Sequence, residues 1–163
     1  MSSNGVDAAT KVRETIGRAT LALDNEKWND WLALCDEDFH YSITAYSPEI
    51  KKDMIYLQGS RKDIETLIGH LPKHNTDHSW LRRHTSVYTV DVENDEATAV
   101  SSFVIYQNVL DGFNSHIDAG ESRLFLTGKY YDKFKLNGGD PKFVKREVRL
   151  DNRRLDKGSH WPL

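Results

Sequence analysis

Four stretches in the second half of the chain alternate apolar and polar residues at period two, and short turn-forming strings separate them. Arg82 to Val92 comes first and ends at Asn94-Asp95. Thr98 to Leu110 is closed by Asp111-Gly112. In Ser122 to Leu136, the residues Leu124, Leu126, Tyr130, Phe134 and Leu136 fall on one face, with Arg123, Lys129, Lys133 and Lys135 on the other. Asn137-Gly138-Gly139-Asp140 is the strongest hairpin signal in the chain. Phe143 to Leu150 follows, with Val144, Val148 and Leu150 opposite Lys145, Glu147 and Arg149. Alternation sends successive side chains to opposite faces of a strand, and Asn-Gly pairs accept the positive φ that tight hairpins require. These runs predict an antiparallel sheet with one face buried.

The first half supplies a cover for that face. Residues 1–8, small and polar, read as a loose lead-in. From about Thr10, Val12, Ile16, Ala19 and Leu23 fall on one side of a helix. Asp24 and Asn25 interrupt it. A second helix carries Trp28, Trp31, Leu32 and Cys35, and Asp36-Glu37-Asp38 should end it, since acid opposes the helix dipole there. Phe39, Tyr41, Ile43 and Ala45 then alternate with His40, Ser42, Thr44 and Tyr46, a half-buried strand closed by Ser47-Pro48. Met54 to Gln58 is a short second strand. Ser60 with Asp63 three places on is an acidic capping box, opening a helix with Ile64, Leu67, Ile68 and Leu71 inward that Pro72 stops. The expected class is α+β, in one domain over residues 1–163.

Composition removes several chemistries. The net charge is −3 and the charged fraction 29%, which gives no reason to expect nucleic-acid binding. Neither a Gly-rich phosphate loop nor a Gly-x-Ser-x-Gly elbow occurs. Cys35 is the one cysteine, so this chain supplies no intrachain disulfide, no cysteine pair for zinc, and not the two cysteines of a Rieske centre. No apolar run approaches a membrane span, and the start MSSNGVDAAT lacks the regions of a signal peptide, so a cytoplasmic location is expected.

Few residues invite chemistry. His70, His74 and His78, with Asp77, recur at helical spacing, but Pro72 breaks the helix that would align them, so a solvated loop is the better reading. His84 enters a strand as a general base at a cavity mouth or, more simply, as a structural hydrogen-bonder. Asp30, Asp36, Tyr41, Tyr46, His84 and Tyr106 would converge only inside a curled sheet. A stand-alone dehydratase or isomerase of that shape would use His84, Asp36, Tyr41 and Tyr106. The tail ends on Trp-Pro-Leu and reads as exposed: either a frayed terminus or a subunit contact through Arg149, Arg153, Arg154, Trp161 and Leu163.

Five strings in order carry a resemblance. "NEKWNDWLALCDEDFHYSITAYSP" has the form helix, acidic turn, F-x-Y-x-I. "LRRHTSVYTVDV" is an Arg-His strand, "SSFVIYQN" an S-x-F-x-x-Y strand, "FLTGKYYDKFKL" a G-x-Y-x-D-x-[LF] strand, and "FVKREVRLDNRRL" closes on R-x-[VI]-x-L-D. Together they resemble the beta (small) subunits of Rieske-type aromatic-ring-hydroxylating oxygenases, over about residues 10 to 157. Ser86 departs from that family, which often has Asn there. The resemblance implies a cone-shaped fold like nuclear transport factor 2 (NTF2-like) and scytalone dehydratase, with a curved antiparallel sheet around the N-terminal helices. It implies a non-catalytic subunit without cofactor or metal of its own. The partner would be an alpha subunit holding a Rieske [2Fe-2S] cluster and a mononuclear iron, with self-association as a trimer in an α3β3-type assembly.

Overall fold

A computed structural model describes residues 3–73, 79–109, 120–154 and 161–163, with side chains from residue 5 onward. Helix α1 spans Ser3–Asp24 and α2 spans Trp28–Ala33; strands β1 and β2 span Cys35–Ser47 and Lys52–Ser60. Helix α3, Arg61–His70, ends in a 3-10 turn at Leu71–Lys73. Strands β3 (Trp80–Glu93), β4 (Glu96–Asn108), β5 (Ser122–Lys135) and β6 (Lys142–Leu150) complete the regular structure of the described residues. The six strands form one sheet in the order β2-β1-β6-β5-β4-β3. Every pairing is antiparallel except β1 with β6, which is parallel.

Local chemistry explains most boundaries. The Ser60 hydroxyl accepts from the Asp63 amide, and the Asp63 carboxylate accepts from the Ser60 amide, which completes the expected capping box of α3. Asn94, Asn137 and Gly138 take positive φ at the two tight turns. Register shifts interrupt the ladders at Ile43/Thr44, Val87/Thr89, Ile105/Tyr106 and Lys133/Phe134. Bulges bend and twist the strands that carry them, and here they curve the sheet around its helices.

The concave face is the core. Val12, Ile16, Ala19 and Leu23 of α1 are buried against it. Trp31 meets Phe39 and Tyr41 edge to face, Phe103 stacks on Tyr130 at 4.4 Å between centroids, and Phe134 tilts onto Phe143 at 4.4 Å. Each such fully buried apolar side chain contributes roughly 1.5–3 kcal/mol.

The helices and strands depart from the sequence reading in three places. Helix α1 already begins at Ser3, so residues 3–8 are helical rather than a loose lead-in. Cys35 to Asp38 belong to β1, not to α2, because the Phe143 amide donates to the Leu34 carbonyl and Cys35 pairs with Phe143. Pairing with β6 therefore outweighs the helical spacing of Cys35. The bulges also move faces: Leu124 is exposed while Phe125 and Leu126 are buried, and Phe143 points inward in place of Val144.

Gly128 marks the tightest approach in the sheet. A Cβ there would sit 2.2 Å from the Arg149 carbonyl oxygen and 2.9 Å from Cζ of Phe103. Gly128→Ala should destabilise the fold by about 3 kcal/mol, the upper end for overpacking, because backbone cannot retreat as a flexible side chain would. Urea unfolding measures this, and a loss below about 1 kcal/mol would show that the contact relaxes.

Candidate functional site

The concave face carries charge as well as rings. Arg146 and Asp132 form a doubly hydrogen-bonded pair, Nε to Oδ1 and Nη2 to Oδ2, both 2.7 Å, with side chains 1% and 0% exposed. The guanidinium lies 4.0 Å from the Tyr130 ring centroid and 4.7 Å from that of Phe143. Burial works against the Arg146 charge, but Asp132 outweighs it, and the arginine pKa stays above its usual value. Burial likewise pushes the Asp132 carboxyl up, and Arg146 pulls it part of the way back.

A second polar group binds the tail. The Tyr41 hydroxyl accepts from the Leu163 amide at 2.7 Å and donates to the Leu163 carbonyl at 3.3 Å. Arg83 donates from Nη1 to Asp24 Oδ1 at 2.9 Å and from Nη2 to the Pro162 carbonyl at 2.8 Å. The Trp161 ring packs against Trp28. The Trp-Pro-Leu end, expected to be exposed, is therefore buried: Trp161 and Leu163 are 5% and 2% accessible. Leu163 joins the core that holds Trp31 and Phe103, and Trp161 is buried beside it against the half-buried Trp28.

The convex face is different. Tyr46, Tyr131, Lys129 and Arg149 line a groove of about 320 Å³. Arg149 grips Asp53 with two hydrogen bonds of 2.7 and 3.2 Å. Arg153 pairs with Glu49 and holds that carboxyl down at about 2. Arg154 is exposed at the end of this stretch. Farther along the sheet, Trp80, Tyr106 and Leu124 are exposed, and Arg82 lies over the Trp80 ring at 5.3 Å.

The four residues proposed for a pocket enzyme are not brought to one place. Tyr41 lies inside, whereas His84 and Tyr106 meet edge to face on the opposite side of the sheet. Asp36 sits at the start of β1, its carboxyl lowered by the Asp38 amide and by Lys135. Asp30 and Tyr46 are exposed. His74, Asp77 and His78 lie outside the described residues, and His70 is the last residue of α3. Among the described residues no group of three His, Cys, Asp or Glu is placed to hold a metal.

Sequence reasoning missed Arg83, Asp132 and Arg146. The signal was present, since Asp132 falls in phase with Tyr130 and Phe134, and Arg146 with Val148 and Leu150. A charge on the apolar phase of a strand is a buried charge in waiting for a partner.

Residues 18–157 match the family model of the ring hydroxylating beta subunit. The chain belongs to that family. Its beta-subunit relatives include the methanesulfonate monooxygenase hydroxylase subunit beta of Methylosulfonomonas methylovora, 64% identical over 96% of this chain and 88% of that one. Among solved structures, a protein of Novosphingobium aromaticivorans described as the beta subunit of an aromatic-ring-hydroxylating dioxygenase superposes with a TM-score of 0.79. That match covers 96% of this chain and 97% of the other at 22% identity. An NTF2-like protein from the same organism matches with a TM-score of 0.67 at 18% identity, covering 97% and 91%. Of the strings that carry the resemblance, Phe39, Tyr41, Ile43, Ser101, Phe103, Gly128, Tyr130, Asp132, Arg146 and Val148 are buried, whereas His84 and Tyr106 are exposed. A Rieske cluster does not fit this beta subunit, because its one thiol, Cys35, is buried and donates to the Trp31 carbonyl.

Two outcomes follow from these environments. Asp132→Ala should cost about 3–5 kcal/mol in urea unfolding, because it leaves Arg146 charged and buried alone. A double change of Asp132 and Arg146 to apolar residues of similar volume should cost less than Asp132→Ala; an equal or larger loss would show that the charge pair is not the source. Burial pushes the Cys35 thiol up to about 12. At pH 8 a disulfide reagent should therefore leave Cys35 unmodified in the folded beta subunit and label it fully in urea.

Proposed function

We infer that the chain is the non-catalytic beta subunit of a methanesulfonate-type Rieske non-haem iron monooxygenase. Its alpha partner would hold the [2Fe-2S] cluster and the mononuclear iron, and the two chains would assemble as α3β3. The 64% identity to the hydroxylase beta subunit of methanesulfonate monooxygenase carries this reading. The architecture supports it physically. The interior is filled by the chain's own aromatics and tail, which leaves the convex face for a partner. That face offers Tyr46, Tyr131, Trp80 and Tyr106 beside Lys129, Arg149 and Arg153, the aromatic and arginine composition favoured at interface centres. Substrate chemistry then belongs to the partner's iron, and this subunit contributes shape and assembly.

Co-expression with the large subunit of a methanesulfonate-type hydroxylase tests the reading. The two should co-elute, and Tyr131→Glu combined with Lys129→Glu should weaken association at least tenfold by sedimentation, a loss of about 1.4 kcal/mol or more. A chain that stays alone beside a loaded large subunit would contradict the assignment, and an unchanged affinity in the double variant would move the contact off this groove.

A further inference from the structure

On the outer face of β5 and β6, like charges stand opposite one another. The ladder places Lys129 opposite Arg149, Tyr131 opposite Glu147, Lys133 opposite Lys145 and Lys135 opposite Lys142. The intervening pairs, Tyr130–Val148, Asp132–Arg146 and Phe134–Phe143, are buried, so the first four face outward. Three of those four outward pairs set cation against cation. Like charges directly opposite destabilise a strand pair, whereas opposite charges or threonines would support it.

The chain's own carboxylates relieve only the margins of this stripe. Asp53 takes Arg149 from the β2 side, with Glu147 standing 3.7 Å from the same guanidinium. Glu96 of β4 takes Lys133 at 3.2 Å. Asp36 takes Lys135 at 3.4 Å, and Lys142 donates to the Ala33 carbonyl at the end of α2 at 2.6 Å. Lys129 and Lys145 make no ion pair among the described residues, and each faces another cation. The two rows, Lys129–Arg149 and Lys133–Lys145, lie four residues apart, about 13 Å along the strands. Tyr131 is exposed between them. The first row opens into the groove of about 320 Å³ that Tyr46 and Asp151 also line.

We propose that this stripe receives two carboxylates of the large subunit, about 13 Å apart, with Tyr131 packed between them. One seats between Lys129 and Arg149, the other between Lys133 and Lys145. The proposal rests on the reading that the convex face meets the large subunit, and it adds the chemistry of that contact. Charge complementarity selects the occupant. Asp53 and Glu96 flank the stripe and would repel a continuous phosphate chain, whereas separate acidic side chains fit a cationic strip two strands wide. The stripe is also continuous with the Tyr46–Tyr131 groove of the same face. The free subunit carries the repulsion, and assembly relieves it.

Lys129→Gln combined with Lys145→Gln tests this by separating stability from association. Alone, the variant should have a urea midpoint equal to or above that of the unaltered chain, because a repulsion has been removed. Its dissociation constant for the large subunit, by sedimentation at about 50 mM salt, should rise at least tenfold, and the gap should narrow at about 300 mM. A lower urea midpoint would place the lysines in the service of the fold and overturn the proposal. So would an unchanged dissociation constant; if Tyr131→Glu with Lys129→Glu still weakens the complex, the partner reading stands and the contact is apolar. Self-association that falls while affinity for the large subunit holds would give the stripe to a second copy, which also overturns it. A short polyglutamate peptide on the isolated chain separates failure of this proposal from failure of the assignment. Binding at low salt that the variant loses supports an acidic occupant whichever large subunit is tried. No binding, or binding that the variant keeps, overturns it.

Discussion

The Arg146–Asp132 pair is the constraint around which the sheet is arranged. Two charges with almost no exposure must face each other, because either one alone would be several kcal/mol out of place. They are direct partners in the β5–β6 ladder, so the pair specifies that register as much as it strengthens it. Tyr130 and Phe143 present ring faces to the guanidinium, and Phe103, the ladder partner of Gly128, stacks on Tyr130. A side chain at position 128 would displace that ring. Gly128, Tyr130, Asp132 and Arg146 are therefore one physical object.

From this pair the architecture extends in both directions. β6 lies beside β1 in parallel, which brings Tyr41 to the concave side and lets it receive the tail. β5 leads through β4 to β3, where Arg83 ties the end of α1 to the same tail. The lowered carboxyls, Glu49, Asp53, Asp63 and Asp36, lie outside the core. Their folded pKa values lie below the unfolded ones, so any stability they contribute is present above the ordinary carboxylate range. It fades as pH falls toward their lowered values, about 2 for Glu49. Solvent screening keeps each contribution small.

Much of this was legible. Period-two runs, with the turn signals Asn94-Asp95 and Asn137-Gly138, located β4, β5 and β6 to within a few residues, and Ser60 with Asp63 located the start of α3. The α+β class followed from the order of elements, and the family from five ordered strings. What stayed hidden has physical causes. A bulge adds one residue to one strand and reverses which parity faces the core, and Leu124 was misplaced for that reason. The parallel β1–β6 pairing depends on long-range contacts that no local pattern encodes, and it drew Cys35 out of a helix. The tail's hydrophobic ending read as an exposed contact because its receptor, Tyr41 and Arg83, lies 122 and 79 residues away in the hydrogen bonds that hold it.

On the proposed reading, this subunit's interior serves its own tail and its convex face serves a partner. Hydroxyl-radical footprinting of the isolated chain and of the complex with its large subunit measures that division directly. The account predicts that Tyr46, Tyr131 and at least one of Trp80 and Tyr106 lose most of their reactivity on assembly, while Trp31 and Tyr41 are unreactive in both states. A stable complex in which the convex-face aromatics stay as reactive as in the free chain would contradict it.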